Sequence, residues 1–352
     1  MLSTMRKRLL TVLIGINICC ISCSGQQIEN SKIAGPSANP IPRFEHVFVV
    51  VEENQNYDEV IGNIKDLPYL NSLAAIYGVA TNYYANTHPS INNYFYLTAG
   101  RRGIGPLWIG ELADEYPWEV AGNNVASILT ANGKSWKAYA ESLPQSGYVG
   151  DDRFPYVKRH NPFAYFESVR QSRVVEGQPS QVADIVPFAN FAGDLQQDKL
   201  PNYSFIVPNL YNDGHHILAT GRKATCGDHQ ALQAVDAWLK TNMQPLIEST
   251  TFKRGGLLMI VFDEGCETGP HADSRYDPKR PGLKGGGHVP ALIISSRTAA
   301  GTTSAELYHH ESVLRLSLRA LGIEQLPDLA ATAPDMNAFF NTEPSTPAVK
   351  TK

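Results

Sequence analysis

Residues 46–51 read HVFVVV, an unbroken apolar run rich in β-branched side chains. A strand with one wet face alternates apolar and polar residues; a run apolar on both faces has to be covered on both. Such a strand belongs in the middle of a parallel sheet with helices packed on either side. The same signal recurs at 203–207 (YSFIV), 257–262 (LLMIVF) and 289–294, with further strands expected at 79–84 and 135–140. Helical spacing of apolar residues falls between them, at 67–77, 90–98, 124–131, 231–246 and 310–321. This alternation predicts an α/β fold, a three-layer sandwich around a mostly parallel central sheet. With 43% hydrophobic residues and 18% charged residues in 352, the chain can bury a large core without staples, and one domain over 43–341 is expected. Residues 103–117 and 150–179 are irregular and aromatic-rich, and are expected to lie over one face as insertions. The polar stretch 342–352 is expected to be a disordered tail.

The first residues carry a different message. Arg6, Lys7 and Arg8 precede an apolar run over 9–21 that is too short for a membrane span of about 20 residues. A basic start and a short apolar core read as an export signal. Ser22-Cys23 resembles a bacterial lipoprotein processing site, although Cys20 stands where leucine is usual. Residues 1–22 are therefore expected to be a lipoprotein-type signal peptide and 23–42 a linker, with lipidated Cys23 tethering an exported, periplasmic or membrane-anchored domain. An ordinary cleaved signal is the alternative. Of five cysteines, only Cys226 and Cys266 lie beyond this segment. In an oxidising compartment they form a disulfide or remain as two thiols; spacing does not decide between these.

The remaining polar signals cluster where the apolar runs stop. HVFVVV ends in Glu52-Glu53-Asn54, YSFIV leads to Asp213-Gly214-His215-His216, and LLMIVF ends in Asp263-Glu264. Gly285-Gly286-Gly287-His288 leads into 289–294. In open parallel sheets, ligands bind beyond the carboxyl ends of the strands. Adjacent acids there are costly unless a charge compensates them, and a divalent cation is the simplest compensation. One such cluster alone is more often a solvated turn; four on one edge favour a metal site. Strand alternation turns Glu52 away from Glu53. Ser90, after Pro89, is placed to cap the helix at 90–98, or to attack a phosphorus atom held at that helix N-terminus, with Asn93 one turn further on. His215 and His216 are adjacent, so on a strand they face opposite ways. No Gly-x-Ser-x-Gly elbow or paired Cys-x-x-Cys site occurs, and Gly133-Lys134-Ser135 lacks the first glycine of a P-loop.

The segments VVVEENQNYDEVIG (49–62), NTHPSINNYFYLTAG (86–100), YSFIVPNLYNDGHH (203–216), IVFDEG (260–265) and GGGHVPALIIS (285–295) together resemble the bacterial phosphoesterase family that joins secreted acid phosphatases to non-toxin phospholipases C. The resemblance implies an alkaline-phosphatase-like fold. It implies Glu53, Asn54, Asp263, Glu264 and Ser90 as metal ligands, with Ser90 the nucleophile of a phosphoserine mechanism. It also implies that His215 and His288 bind phosphate or protonate the leaving group, with Asp213 nearby and His88 in substrate contact. Asn92 and His216 depart from the family pattern, where proline and an acid are common.

The expected activity is that of a phosphomonoesterase of acid-phosphatase type, acting on a small phosphate ester. A phospholipase C or other phosphodiesterase taking a phospholipid head group is the second reading, and a non-catalytic surface lipoprotein that binds a phosphorylated ligand is the third. A sulfatase is disfavoured by the lack of a Cys-x-Pro-x-Arg segment. The expected cofactor is a divalent ion; oxygen ligands suit Ca, Mg or Mn, and histidines admit Zn or Fe. A net charge of −4 gives no attraction to nucleic acid.

Overall fold

The computed structural model describes residues 41–103, 119–172, 180–266 and 285–340. The expected signal peptide, the tail at 342–352, most of the 23–42 linker and nearly all of the 103–117 insertion lie outside the described residues.

Ten strands are described: β1 His46–Glu52, β2 Gly78–Ala80, β3 Trp136–Ala140, β4 Ile185–Pro187, β5 Tyr203–Val207, β6 His216–Ile217, β7 Arg222–Lys223, β8 Gly256–Phe262, β9 Ala291–Ile294 and β10 Thr303–Ser304. β6 and β7 form a small separate ribbon. The others form one sheet in the order β10-β2-β9-β8-β1-β5-β3-β4. The unbroken apolar run of β1 sits near the centre, as its lack of alternation requires, with Val47 opposite Tyr203 of β5 and Leu257 of β8, both parallel. β9 alone runs against its neighbours, antiparallel to β8 and to β2. The chain therefore enters β9 at the edge where β8 leaves off.

Helices cover both faces. On one, Phe48 of β1 packs against Phe191 and Phe252, from the helices Asn190–Gln196 and Thr250–Gly255. On the other, Phe205 of β5 meets Tyr94 of the helix Ser90–Ala99 edge-on. The expected three-layer α/β architecture is present. The long strands and helices fall within a few residues of their expected bounds; β4 and β10, of three and two residues, are too short to leave a periodic pattern.

The helix Pro68–Ile76 has no capping side chain of its own at Leu67. Asp236, from the helix His229–Glu248, takes that role: its carboxylate accepts from Tyr69 N at 3.1 Å and Leu70 N at 2.8 Å. This joins two helices distant in sequence at a buried point. Asp236→Ala is expected to lower unfolding stability by about 1–2 kcal/mol, the usual worth of a lost cap. Urea unfolding checks this.

The 150–172 part of the expected insertion lies over one face of the sheet, and its aromatic rings are part of the core there. Phe163 stacks on Trp136 of β3 with ring centroids 4.9 Å apart and meets Phe205 at 5.4 Å. Its core position follows from its aromatic content: these rings need burial and find it against β3 and β5.

Candidate active site

The carboxyl ends of β1, β5 and β8 converge, and backbone bonds hold them together. Glu53 N donates to Asp213 O at 2.8 Å, and Asp263 N donates to Glu52 O at 2.9 Å. Glu53 lies at the centre, fully buried. Its Oε2 is 3.2 Å from Ser90 Oγ, 3.2 Å from His215 Nδ1 and 3.1 Å from Asn54 Nδ2. Its Oε1 accepts from Tyr94 OH at 2.7 Å and lies 3.2 Å from His160 Nε2. Asp263 is adjacent to both Glu53 and Ser90, and its Oδ1 accepts from Asn54 N at 3.1 Å. Asp213 Oδ1 accepts from His215 N at 2.8 Å, while Oδ2 lies 3.5 Å from His160 Nδ1. Glu53, Asn54, Ser90, Asp213, His215 and Asp263 are thus brought together as the sequence predicts. A ligand role for Asn54 needs its amide oxygen turned toward the carboxylates in place of Nδ2.

Ser90 is not the helix cap. It is the first residue of its helix, Pro89 stands in the capping position, and no side chain caps that end. Ser90 Oγ instead turns to Glu53. The histidine pair also differs from expectation. Gly214 turns the chain ahead of β6, so the rings of His215 and His216 do not oppose each other but stack, nearly parallel, at 4.9 Å. Glu52 does face away from Glu53's partners, and both its carboxylate oxygens are buried without a hydrogen bond.

Around this centre lies a second layer. Glu264 accepts from Asn93 Nδ2 at 3.1 Å and lies 3.3 Å from His88 Nδ1. Asn93 binds the loop ahead of Ser90: Oδ1 accepts from Asn86 N and Thr87 N, and Nδ2 donates to Thr87 O at 2.6 Å. Asn93 therefore shapes the turn carrying Ser90. The glycine-rich approach to β9 passes the same turn so closely that a Cβ on Gly286 would fall 2.4 Å from Thr87 O. His288 is clamped between Tyr57 and Tyr84, ring centroids 4.3 and 4.9 Å away, and its Nε2 donates to Thr81 O at 3.1 Å.

Burial makes charge costly in this cluster, a cost that bound protons or a cation would offset. Burial pushes the Glu53 carboxyl up to about 7, although Tyr94, Arg159 and Ser90 pull it back. Burial, then the charge of Glu53, holds Asp213 and Asp263 well above the usual carboxylate range. His160, buried and beside Arg159, is pushed far down and stays neutral, a state fit for ligation. Among the described residues, Asp213 Oδ2, Asp263 Oδ2 and both ring nitrogens of His160 have no hydrogen-bond partner. One nitrogen or oxygen from each of Glu53, His160 and His215 lies within 4.8 Å of the others, close enough to share an ion. The donor set fits a divalent metal.

His160 and Tyr94 were not evident from the sequence. Tyr94 follows Ser90 by one helical turn, and that spacing puts both on one face. His160 lies in a short 3-10 turn, Lys158–His160, within the irregular segment, where no periodicity marks it; its ring stacks on Tyr94 at 5.4 Å.

Cys226 and Cys266 form a disulfide, with Cα atoms 5.7 Å apart. Asn56 bridges the same junction, its Oδ1 accepting from Cys266 N at 3.1 Å and its Nδ2 approaching Cys226 Sγ at 3.2 Å. The loops that follow Glu53 and Glu264 are tied together there. Reduction is expected to lower unfolding stability by about 2–4 kcal/mol, the usual worth of a disulfide; denaturant unfolding with and without reductant checks this.

A model of the Phosphoesterase family matches residues 63–323, beginning just after Glu53 and Asn54. The chain is 32% identical over 235 residues to a phosphatidylinositol-3-phosphatase of Mycobacterium tuberculosis, with 65% of this chain and 67% of that protein covered. It is 30% identical over 260 residues to a probable acid phosphatase of Kluyveromyces lactis, with 69% of this chain and 54% of that protein covered. The chain spans about half the length of the fungal acid phosphatases it matches. Among solved structures, an alkaline phosphatase superfamily protein from Vibrio parahaemolyticus superposes with a TM-score of 0.55 at 14% identity, over 84% of this chain and 72% of that one. The lipoteichoic acid synthase LtaP of Listeria monocytogenes gives 0.56 at 9% identity, over 88% and 79%. These two establish a shared fold.

Proposed function

Since the chain belongs to the Phosphoesterase family, we propose that it is a metal-dependent hydrolase of phosphoric esters, a phosphomonoesterase of acid-phosphatase type with Ser90 as nucleophile. The observation that carries this reading is the placement of Ser90 Oγ, 3.2 Å from the central carboxylate Glu53, at the start of a ten-residue helix. A helix N-terminus favours an anion, and the serine hydroxyl there faces both Glu53 and Asp263.

Glu53, Asp263, Ser90, His160 and His215 are the proposed ligands, with Asn54 and Glu264 at the margin. Their mixed oxygen and nitrogen donors suit Mn, Zn or Fe better than Ca or Mg. A divalent ion held there supplies positive charge that favours the serine alkoxide and the developing charge on phosphorus oxygens. Ser90 Oγ forms a bond to phosphorus as the ester P–O bond breaks, and the departing alcohol takes up a proton. Water then attacks the phosphoserine, releasing phosphate and restoring the Ser90 hydroxyl. His88 is the proposed proton donor: it lies two residues before Ser90, its side chain is 24% exposed, and its Nδ1 lies 3.3 Å from Glu264 Oε2. Asp213 and Tyr94 hold the ligands in place.

The substrate is proposed to be a phosphate monoester, small or on a lipid head group; the names of the relatives support both. The disulfide suits an oxidising compartment and supports the reading of an exported protein. Membrane attachment through a lipidated Cys23 is part of this proposal and rests on the sequence alone; among the described residues no helix is long and apolar enough to cross a membrane.

The test is hydrolysis of an aryl phosphate monoester against a phosphocholine diester, by metal-stripped protein resupplied with Mn, Zn, Fe, Mg or Ca in turn. Metal-dependent release from the monoester is expected. Preference for the diester transfers the assignment to a phospholipase C, and no hydrolysis with any ion leaves the non-catalytic binding protein.

A further inference from the structure

Asp263 is held from behind by a residue with no part in the proposed chemistry. Its backbone carbonyl lies 2.6 Å from Nε2 of His310, the first residue of the helix His310–Ala320. Nδ1 of the same ring lies 2.6 Å from Tyr83 OH. Both rings are fully buried. A carbonyl oxygen only accepts, so Nε2 carries a proton. The neutral ring that satisfies both contacts is one tautomer: Nε2–H donates to Asp263 O, and Nδ1 accepts from the Tyr83 hydroxyl. Burial raises the Tyr83 hydroxyl well above its ordinary value, so it keeps the proton it donates.

The same end of this helix also grips the chain leading to Ser90. His310 N donates to Asn86 Oδ1 at 3.3 Å, and Asn86 Nδ2 donates to Glu311 Oε2 at 2.9 Å. His309 Nδ1 donates to Tyr84 O at 2.9 Å. Asn86 is itself one of the residues that Asn93 holds in the turn before Ser90.

We propose that His310 is a positioning residue, which sets Asp263 at the metal site and locks that setting to the turn bearing the nucleophile. It touches neither substrate nor ion. Its effect passes through the Asp263 carbonyl, in the way that buried partners behind metal ligands fix ligand orientation. The inference rests on the reading of Asp263 as a ligand, and is independent of which ester is hydrolysed.

Two near-isosteric variants separate positioning from bulk. In His310→Gln the amide nitrogen sits where Nε2 was and still donates to Asp263 O. In His310→Asn the shorter amide reaches only the Nδ1 position, so the bond to Asp263 is lost while the contact with Tyr83 can persist. Mn or Zn affinity is measured by calorimetry on each purified full-length variant, with thermal melting of the metal-free forms as a check on folding. The Gln variant is expected within about threefold of wild type and the Asn variant about ten- to a hundredfold weaker, with similar metal-free melting temperatures. Tyr83→Phe, which frees the tautomer without changing volume much, is expected to fall between them.

Equal affinities for the Gln and Asn variants, or an Asn variant as tight as wild type, overturn the proposal. A wild-type protein that binds neither ion overturns it together with the metal reading. The Gln–Asn split in a protein that hydrolyses no ester sustains the role of His310 and overturns the hydrolase reading alone.

Discussion

Ser90→Ala is expected still to bind a divalent ion, more weakly by the loss of one proposed ligand among several, and to hydrolyse phosphate monoesters about a thousandfold more slowly or worse, the scale on which enzymes lose rate with their nucleophile. The reason is geometric. Ser90 Oγ contributes one contact to Glu53, which retains Tyr94, Asn54, His160 and His215 around it. Removing the hydroxyl therefore leaves the carboxylate cage in place and removes the atom that bonds to phosphorus. Calorimetry and steady-state kinetics on the same preparation separate the two effects. A Ser90→Ala protein with full activity eliminates serine as the nucleophile.

Glu53→Gln is expected to weaken metal binding by at least about a hundredfold, beyond what losing a supporting residue does. Every branch of the site meets at this side chain, so the loss is not local. Its pH behaviour gives a second, metal-free readout. The Glu53 carboxyl is raised from its ordinary value of 4.5 to about 7 in the folded chain, chiefly by burial. A carboxyl raised in this way binds its proton more tightly folded than unfolded. The stability it contributes to the metal-free protein is present below 4.5 and is lost as pH rises through 4.5 toward about 7. Asp213 and Asp263, also raised, act in the same direction. Metal-free wild type is thus expected to melt at progressively lower temperature over that range, and added Mn or Zn to restore it most at neutral pH. Glu53→Gln flattens part of the pH slope and abolishes much of the metal response. A melting temperature that rises with pH in the metal-free protein contradicts this electrostatic picture.

The parts of this fold that follow from repeated local signals were legible in the sequence. An unbroken apolar run at 46–51 required a central strand, and β1 has strands on both sides and helices on both faces. Acids at the ends of three such runs required a shared edge, and Glu53, Asp213 and Asp263 meet there. What was not legible depends on side chains that converge from stretches without periodicity. His160 comes from a 3-10 turn whose position is fixed by Phe163 packing on Trp136, a contact no local pattern encodes. The Asp236 cap joins helices far apart in the chain, and the alternatives for Cys226 and Cys266 are resolved only by their distance in space. Ser90 shows the same limit within one residue: the turn before its helix was readable from Pro89, but its hydroxyl serves Glu53 because β1 ends there, not because a helix needs a cap.

The nucleophile is the point on which the functional reading turns, and it can be observed directly. Metal-loaded protein is mixed with an excess of a phosphate monoester, quenched in acid within the first turnovers, digested and analysed by mass spectrometry. The peptide carrying Ser90 is expected to bear one phosphoryl group, absent from Ser90→Ala and from protein stripped of metal. Turnover of the ester with that peptide unmodified in every quench, or with the phosphoryl group on another residue, contradicts the assignment of Ser90.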